Sequence, residues 1–457
     1  MTAQSQDAAR AGSEPGRPED TPPPTPDVGG SGTPHVQVEG FAESVPAIID
    51  LDAPRDGVPL VIQTREGLER AARAIAAGTG PAGVDAERAS GFRYGQRAFL
   101  VQGRRKGAGT WLIDPEPFGD LSILDEALRG VEWVLHASTQ DLPCLAELGM
   151  WPDRLFDTEL AARLAGLPRV GLAAVVEQLL GFGLAKEHSA ADWSTRPLPE
   201  PWLRYAALDV EVLVELRDEL FELLEAQGKL DFAVEEFAAI LSAGLPEPKP
   251  DPWRRTSGVH QIRNRRQLAA VRELWIERDA LARKRDIAPG KLIPDSAVVA
   301  VARSMPATVP QLIATKGFHG RAAQREAPRW LRAIATAKNL PESELPPLHL
   351  PTNAPPPPRV WEDRDPEAAA RLQTARPRVA EIADELGMPT ENLLTPDHLR
   401  RVSWRPPEPL NAVSLADALR ELGAREWQID RVLMAVLDAF EHPDPLPARK
   451  KGHAEGS

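Results

Sequence analysis

The chain has 457 residues, more than one hydrophobic core of ordinary size accommodates, and this length predicts roughly two to four domains. Its formal net charge of −13 argues against a protein that coats nucleic acid through an overall positive charge, so any nucleic-acid binding must rest on local positive patches. The single cysteine, Cys144, excludes an internal disulfide framework, and no apolar run reaches the roughly 18 residues that span a bilayer. Because the polar N-terminal stretch lacks a secretory-signal pattern, the sequence predicts a protein of the reducing cytoplasm that does not associate with membranes.

The first predicted folded unit is an α/β domain at residues 46–245. Residues 1–45 have few aromatic or branched apolar side chains, so we expect them to be disordered, since they cannot bury enough surface to offset the entropy of ordering. In the domain, short apolar runs alternate with longer helical patterns, which is typical of an α/β fold. The predicted strands are residues 60–63, 83–87, 98–102, 111–114 and 133–137.

Two helical modules are predicted after this domain. The first is basic, because residues 253–332 contain 17 Lys and Arg against 6 Asp and Glu. A Pro-containing turn, two apolar residues and a Pro-Asp pair occur in both modules, which indicates a diverged repeat; chance recurrence in a chain with 46 prolines is the alternative. The predicted segments are a linker at 246–258, a helical domain at 259–340, a Pro-rich linker at 341–363, a second helical domain at 364–441 and a disordered tail at 442–457.

Two carboxylates lie on one face of the predicted strand at 83–87. Side chains alternate along a strand, so Asp85 and Glu87 point to the same side while Val84 and Ala86 face the other. Taken alone, an Asp-x-Glu in a chain with 67 acidic residues is better explained as a solvated sheet edge. The pair therefore becomes informative only together with partners from other elements.

A third carboxylate, Asp141, follows the predicted strand at 133–137. Ser138 or Thr139 could cap a new helix at this point, which would place Asp141 where the strand ends and the helix begins. A carboxylate in a first helical turn is also favoured by the helix dipole, so this position has a structural explanation too.

The fourth carboxylate, Asp209, lies four residues after Tyr205, so a phenol and a carboxylate share one helix face. A hydrogen-bonded surface pair would explain this spacing by itself. Together, however, the three elements could bring four carboxylates to one point. A two-metal phosphodiesterase requires such a set, because hard oxygen ligands hold two Mg²⁺ or Mn²⁺ ions about 3.5–4 Å apart.

The order of these motifs resembles the three exonuclease motifs of the DEDD superfamily: Asp85-x-Glu87, then His136 with Asp141, then the segment from Tyr205 to Asp209. A tyrosine in the third motif is typical of the ribonuclease D branch, and residues 192–198 are similar to the corresponding segment of that family. Arg88 departs from the pattern, because many family members have an aromatic or aliphatic residue at this position.

The basic module resembles the helicase and ribonuclease D C-terminal (HRDC) domain, of which ribonuclease D carries two, whereas the last module matches only weakly. The implied architecture is α/β: a ribonuclease H-like exonuclease domain, with a mixed central sheet flanked by helices, followed by two small all-α HRDC-like helical bundles.

The resemblance also implies roles for individual residues. Asp85, Glu87, Asp141 and Asp209 would bind two divalent metal ions, Mg²⁺ or Mn²⁺, and Tyr205 would orient or help to deprotonate the attacking water. For Trp193, burial in a core is a commoner role for tryptophan than stacking on a base. The charged helix of the basic module could be merely solvated, but its local positive charge favours phosphate binding. The candidate substrate contacts are His136, which is expected mainly to support its motif, with Lys186, Trp193, Arg196, Arg265, Arg266, Lys284 and Arg285.

The implied activity is metal-dependent 3′-to-5′ exonucleolytic removal of nucleotides from RNA 3′ ends. The expected partner is RNA with a free 3′ end, in particular transfer RNA precursors, and no obligate protein partner is expected. A 3′-to-5′ exodeoxyribonuclease is the first alternative, because ribose selectivity depends on a 2′-hydroxyl contact that a sequence does not display. A non-catalytic RNA-binding scaffold is the second, and the four intact carboxylates argue against it.

Overall fold

The computed structural model describes residues 48–184, 190–318 and 320–447. The predicted disordered tail at 1–45 lies outside these residues, as does most of the predicted tail at 442–457. No helix within the described ranges is long and apolar enough to cross a lipid bilayer.

A mixed sheet of six strands organises the first domain. The strands of the described chain are β1 (Ile49–Leu51), β2 (Val61–Ile62), β3 (Thr79–Arg88), β4 (Ala98–Lys106), β5 (Gly109–Ile113), β6 (Glu132–Leu135), β7 (Arg154–Asp157) and β8 (Phe182–Leu184). The order across the sheet is β2-β5-β4-β3-β6-β7, while β1 and β8 form a separate parallel pair. Strand β3 pairs antiparallel with β4 and parallel with β6, which places it inside the sheet.

All five predicted strands are present, with shifted ends. Three further strands, β1, β7 and β8, were not predicted. They have three or four residues each, and β1 and β8 pair only with each other.

Helices flank the sheet, as predicted. Those of the first domain are α1 (Arg65–Ala77), α2 (Ser122–Ala127), α3 (Leu142–Ala146), α4 (Thr158–Leu164), α5 (Leu172–Leu180), α6 (Glu200–Glu211), α7 (Leu213–Ala226) and α8 (Leu230–Ala243). Helix α6 packs on β3, β4 and β5, and α7 packs on β3 and β6. A side chain at Gly83 would prevent this close approach, because its Cβ would lie 3.0 Å from the Val210 carbonyl oxygen and 3.1 Å from Leu213 Cβ. The junction of α6 and α7 therefore rests directly on β3.

The first helical module has a hydrophobic core of its own, which includes the buried Trp330. Its helices are α9 (Arg265–Arg285), α10 (Pro289–Leu292), α11 (Asp295–Ser304), α12 (Val309–Ile313), α13 (Arg321–Arg325) and α14 (Ala327–Asn339). The module contacts the exterior of the first domain through a bidentate ion pair, with Arg97 Nη1 and Nη2 lying 2.8 and 2.7 Å from the Asp286 carboxylate oxygens. The Ala288 amide also donates to the Phe92 carbonyl at 3.0 Å.

The second helical module shares a continuous core with the first domain. Its helices are α15 (Trp361–Arg364), α16 (Pro366–Glu385), α17 (Thr390–Leu393), α18 (Pro396–Trp404), α19 (Ala412–Glu421) and α20 (Glu426–Glu441). Trp427 stacks on Phe232 of α8 with ring centroids 4.5 Å apart, and its indole N–H donates to Glu236 at 3.1 Å.

The predicted repeat has the same local structure in both modules. In each, a long helix is followed by a single helical turn and then by a shorter helix, in the series α9-α10-α11 and α16-α17-α18. The two apolar residues after each Pro-containing turn are buried, as predicted: Leu292 and Ile293 in one module, Leu393 and Leu394 in the other.

Candidate active site

Strand β3 and helix α6 bring three carboxylates together. The alternation along β3 places Asp85 and Glu87 on the face that α6 covers, where α6 carries Tyr205 and Asp209 one turn apart. One oxygen from each of Asp85, Glu87 and Asp209 lies within 4.8 Å of the others. The phenol of Tyr205 is hydrogen-bonded to Asp209, so the expected Tyr/Asp pair is formed and faces the acidic cluster.

Asp141 joins this cluster from the turn between β6 and α3. A short 3-10 turn at Ser138–Gln140 precedes α3, and Asp141, rather than the predicted Ser138 or Thr139, occupies the N-cap position of the helix. The Asp141 carboxylate accepts no capping hydrogen bond from α3; its Oδ1 lies 3.2 Å from Arg88 Nη2, and the residue lines the same cavity as Asp85. The side chain is therefore available to the site.

A buried carboxylate that sequence reasoning missed, Asp157, organises the turn that carries Asp141. Ala137 has a left-handed backbone with φ of 59°, a conformation that non-glycine residues rarely adopt. Asp157 Oδ1 accepts the Ala137 amide at 3.1 Å, and its Oδ2 accepts the Ser138 amide at 2.8 Å and the Ser138 hydroxyl at 2.7 Å. The same carboxylate caps α4, so one side chain joins the turn to the helix.

The clustered carboxyls hold their protons more tightly than isolated ones. Burial, followed by repulsion from Asp85, Asp209 and Asp141, raises the pKa of Glu87 well above its usual range. Burial and the Asp85 charge likewise raise the pKa of Asp141 and of Asp209. Burial also raises the pKa of Asp85, against the opposing effects of the Ala86 amide and Arg88. A bound cation would relieve this repulsion.

Gln102 is a second residue that sequence reasoning missed. It lies on β4 directly opposite Asp85, is fully buried, and donates from Nε2 to Asp85 Oδ2 at 2.7 Å. The one available signal was a lone amide at the end of the apolar run 98–101, but the partner strand and its register are not readable from the sequence.

The carboxylates line a cavity of about 360 Å³. His136 also lines it, but the ring Nδ1 lies 2.9 Å from the Thr158 hydroxyl. Burial lowers the pKa of His136. These contacts anchor the imidazole to the start of α4.

The remaining candidates of the first domain lie away from the cavity surface or outside the described residues. Lys186 falls in the undescribed range 185–189. Trp193 is fully buried and packs against Trp202 and Tyr205, so it supports the Tyr205 ring. Arg196 makes two hydrogen bonds to Asp114, at 2.8 and 2.9 Å, and further ones to backbone carbonyls, so it holds its own loop against the end of β5.

In the basic module, two of the candidate arginines donate hydrogen bonds to backbone carbonyls of the same module. Arg265 donates to the Leu345 carbonyl at 2.6 Å, and Arg266 donates to the Lys338 and Leu340 carbonyls, each at 2.8 Å. Arg285 is paired with Glu326. Lys284 is exposed to solvent. None of these four side chains lines the acidic cavity.

Three family models match successive parts of the chain. Residues 59–225 match a 3′-5′ exonuclease domain, residues 267–334 an HRDC domain, and residues 354–440 a 3′ to 5′ exonuclease C-terminal domain. The last module thus matches a different model from the first, although both contain the repeated local structure.

Curated relatives and solved structures agree with these matches. The chain is 31% identical over 353 residues to ribonuclease D of Pseudomonas paraeruginosa, covering 75% of this chain and 88% of that protein. Ribonuclease D of Gluconacetobacter diazotrophicus is 34% identical over 238 residues, but the match spans only 51% of this chain and 59% of that relative.

Among solved structures, a Bifidobacterium adolescentis protein is 41% identical with a TM-score of 0.78, covering 86% of this chain and 100% of that one. Escherichia coli RNase D, described as an exoribonuclease involved in structured RNA processing, is 27% identical with a TM-score of 0.61, covering 79% and 98%.

Proposed function

The chain belongs to the ribonuclease D family of 3′-to-5′ exoribonucleases, and from this premise we propose that it removes nucleotides from RNA 3′ ends by divalent-metal-dependent hydrolysis. The observation that carries the proposal is the convergence of Asp85, Glu87, Asp141 and Asp209 on one cavity beside Tyr205. A scaffold that only bound RNA would have no use for four mutually repelling carboxylates beneath an open cavity.

The four carboxylates fit a pair of Mg²⁺ or Mn²⁺ ions as ligands. These ions prefer oxygen donors, and three of the carboxylates already have oxygens within 4.8 Å of one another. Their raised pKa values reflect burial and repulsion that positive charge would relieve. When bound, two such ions supply an activated water and compensate the charge on the leaving 3′-oxygen.

The surrounding residues position the reacting groups. Tyr205 lines the cavity with its hydroxyl hydrogen-bonded to Asp209, and we assign it to orienting the attacking water. Gln102 holds Asp85 by its 2.7 Å hydrogen bond, and Asp157 holds the turn that carries Asp141. His136, anchored to Thr158, is assigned to supporting the end of β6 rather than to proton transfer.

RNA with a free 3′ end is the proposed substrate, and transfer RNA precursors are its proposed natural source. The first helical module, with exposed Lys284, has a local excess of positive charge in a chain whose net charge is −13, and such an excess favours phosphate contacts. We place the activity in the cytoplasm, in keeping with the single cysteine, Cys144.

The test is incubation of the purified protein with a 3′-extended, 5′-labelled RNA and with the DNA of the same sequence, in Mg²⁺, Mn²⁺ or chelator. Stepwise shortening of the RNA by single nucleotides, dependent on metal and abolished in Asp85→Ala, is expected. The exposed Glu219 provides a matched control, because Glu219→Ala removes a carboxylate outside the cavity. Preferred shortening of the DNA would point to a deoxyribonuclease, and RNA binding without shortening would point to a scaffold.

A further inference from the structure

Arg88 places a positive charge at the rim of the acidic cavity. It is the last residue of β3 and directly follows Glu87. Its Nη1 donates to the Gln140 carbonyl at 2.6 Å, and its Nη2 lies 3.2 Å from Asp141 Oδ1. The side chain keeps 25% of its surface exposed, so the guanidinium is held at the site but not enclosed.

Arg88 also lies where two cavities meet. The acidic cavity shares Ala86, Glu87, Arg88 and Gln140 with an adjoining cleft of about 420 Å³. The far wall of this cleft is formed by Ser90, Gly91, Phe92, Gln96, Ala190 and Ala191. Of the described residues that line either cavity, Arg88 is the only Lys or Arg. Within the described part of the chain, a polyanion that passes from one cavity to the other therefore meets Arg88 as the one fixed cation that lines its path.

The guanidinium has hydrogen-bonding capacity to spare. An arginine has five N–H donors in a planar fork that matches phosphate oxygens, and its charge is permanent. In the described structure, the contacts to Gln140 and Asp141 occupy only part of that fork. The same two contacts fix the direction of the fork, which reduces the entropy lost when an anion binds.

We propose that Arg88 binds a backbone phosphate of the RNA where the strand passes from the acidic cavity into the adjoining cleft. The inference rests on the proposed function, since it requires a nucleic-acid substrate at the carboxylates. It assigns a substrate contact to the residue that directly follows Glu87 of the first motif. The competing role is purely structural: Arg88 would only brace the turn that carries Asp141.

The two roles are separated by removing charge from the protein and from the RNA in turn. The affinity for a labelled RNA is measured in the presence of Ca²⁺ for the wild type, Arg88→Gln and Arg88→Lys. Gels verify that the RNA stays intact during the measurement. The exposed Arg73 on α1 provides the control variant Arg73→Gln. Each protein is tested with unmodified RNA and with three modified RNAs. Each modified RNA carries a single uncharged methylphosphonate, placed at one of the last three linkages. Thermal melting verifies that each variant folds.

The wild type should lose about tenfold in affinity when one particular linkage is neutralised, as expected for a charge-assisted hydrogen bond. Arg88→Gln should lose about as much on unmodified RNA and nothing further at that linkage. Arg88→Lys should retain part of the affinity, and Arg73→Gln should behave as the wild type.

The proposal would be overturned if neutralising a linkage lowered the affinity of the wild type and of Arg88→Gln equally at every linkage, or lowered it at none. Arg88 would then have only the structural role. Failure of the proposed function is distinguishable, because it would appear as absence of metal-dependent shortening of unmodified RNA by the wild type, whatever the affinities.

Discussion

The side-chain amide of Gln102 on β4 donates a 2.7 Å hydrogen bond to Oδ2 of Asp85, its direct cross-strand neighbour on β3. Both residues lie on inner strands of the sheet, so the hydrogen bond fixes the orientation of the Asp85 carboxylate within the cluster. Groups that orient metal ligands in this way typically contribute a factor of 10 to 100 to metal affinity.

Gln102→Leu should therefore weaken Mn²⁺ binding by roughly 10- to 100-fold while the protein stays folded. Calorimetric titration with Mn²⁺ measures the affinity, and circular dichroism verifies the fold. Gln324→Leu, at an exposed position on α13, should leave the affinity unchanged. Wild-type affinity in Gln102→Leu would contradict the role given to this amide.

Asp157→Ala should reduce both stability and activity, although Asp157 does not line the acidic cavity. The substitution leaves the Ala137 and Ser138 amides and the first turn of α4 without their acceptor. Loss of these buried hydrogen bonds should lower the free energy of unfolding by on the order of 3 kcal/mol. Urea denaturation measures the stability, and the Mn²⁺ concentration needed for half-maximal shortening should rise because Asp141 is less well held.

A matched control for this variant is Asp231→Ala, at an exposed position on α8. It should change the free energy of unfolding by no more than about 0.5 kcal/mol. If Asp157→Ala were equally mild, the turn would be held by other contacts.

The contribution of the clustered carboxyls to the stability of the metal-free protein should fall as pH rises. Glu87, Asp141 and Asp209 have pKa values raised by burial above the ordinary range near 4. Their protonated forms stabilise the fold, so this contribution is complete below about pH 4 and is lost as pH rises through the raised pKa values. Divalent ions compete with these protons, so Mn²⁺ should raise the Tm more at about pH 8 than at about pH 6.

Asp209→Asn tests this account, because it removes one charge from the cluster. The metal-free variant should be more stable than the wild type at neutral pH, by about 1.4 kcal/mol for each unit by which the pKa is raised. Its stabilisation by Mn²⁺ should be weaker. Scanning calorimetry with and without Mn²⁺ measures both effects, with Glu219→Gln as control. A less stable metal-free variant would show that Asp209 contributes to folding rather than opposing it.

Trp427→Ala should destabilise the protein by about 3–5 kcal/mol, because it removes a nearly buried indole between α20 and α8. The change also leaves Glu236 without its 3.1 Å indole donor. Met434→Ala on the same helix is the control, since Met434 is 65% exposed. Urea denaturation should separate the two variants, and an unchanged midpoint for Trp427→Ala would contradict a shared core.

Relations within one element were predictable from the sequence. The alternation along β3 puts Asp85 and Glu87 on one face, and the helical repeat puts Tyr205 and Asp209 on one face of α6, because the geometry of a strand or helix sets these relations locally. Five strands, β2 to β6, and the two Pro-containing turns followed from the same local signals. These features sufficed to predict the acidic site and the resemblance that goes with it.

Relations between elements were decided only in the tertiary structure. The pairing of Gln102 with Asp85 depends on strand register, and the role of Asp157 depends on β7 lying beside β6. Arg265 and Arg266 look like phosphate ligands in the sequence, yet they bind backbone carbonyls about 70 to 80 residues further along the chain. The physical reason is that register and docking result from packing of distant segments, whereas a sequence pattern reports only on neighbours along the chain.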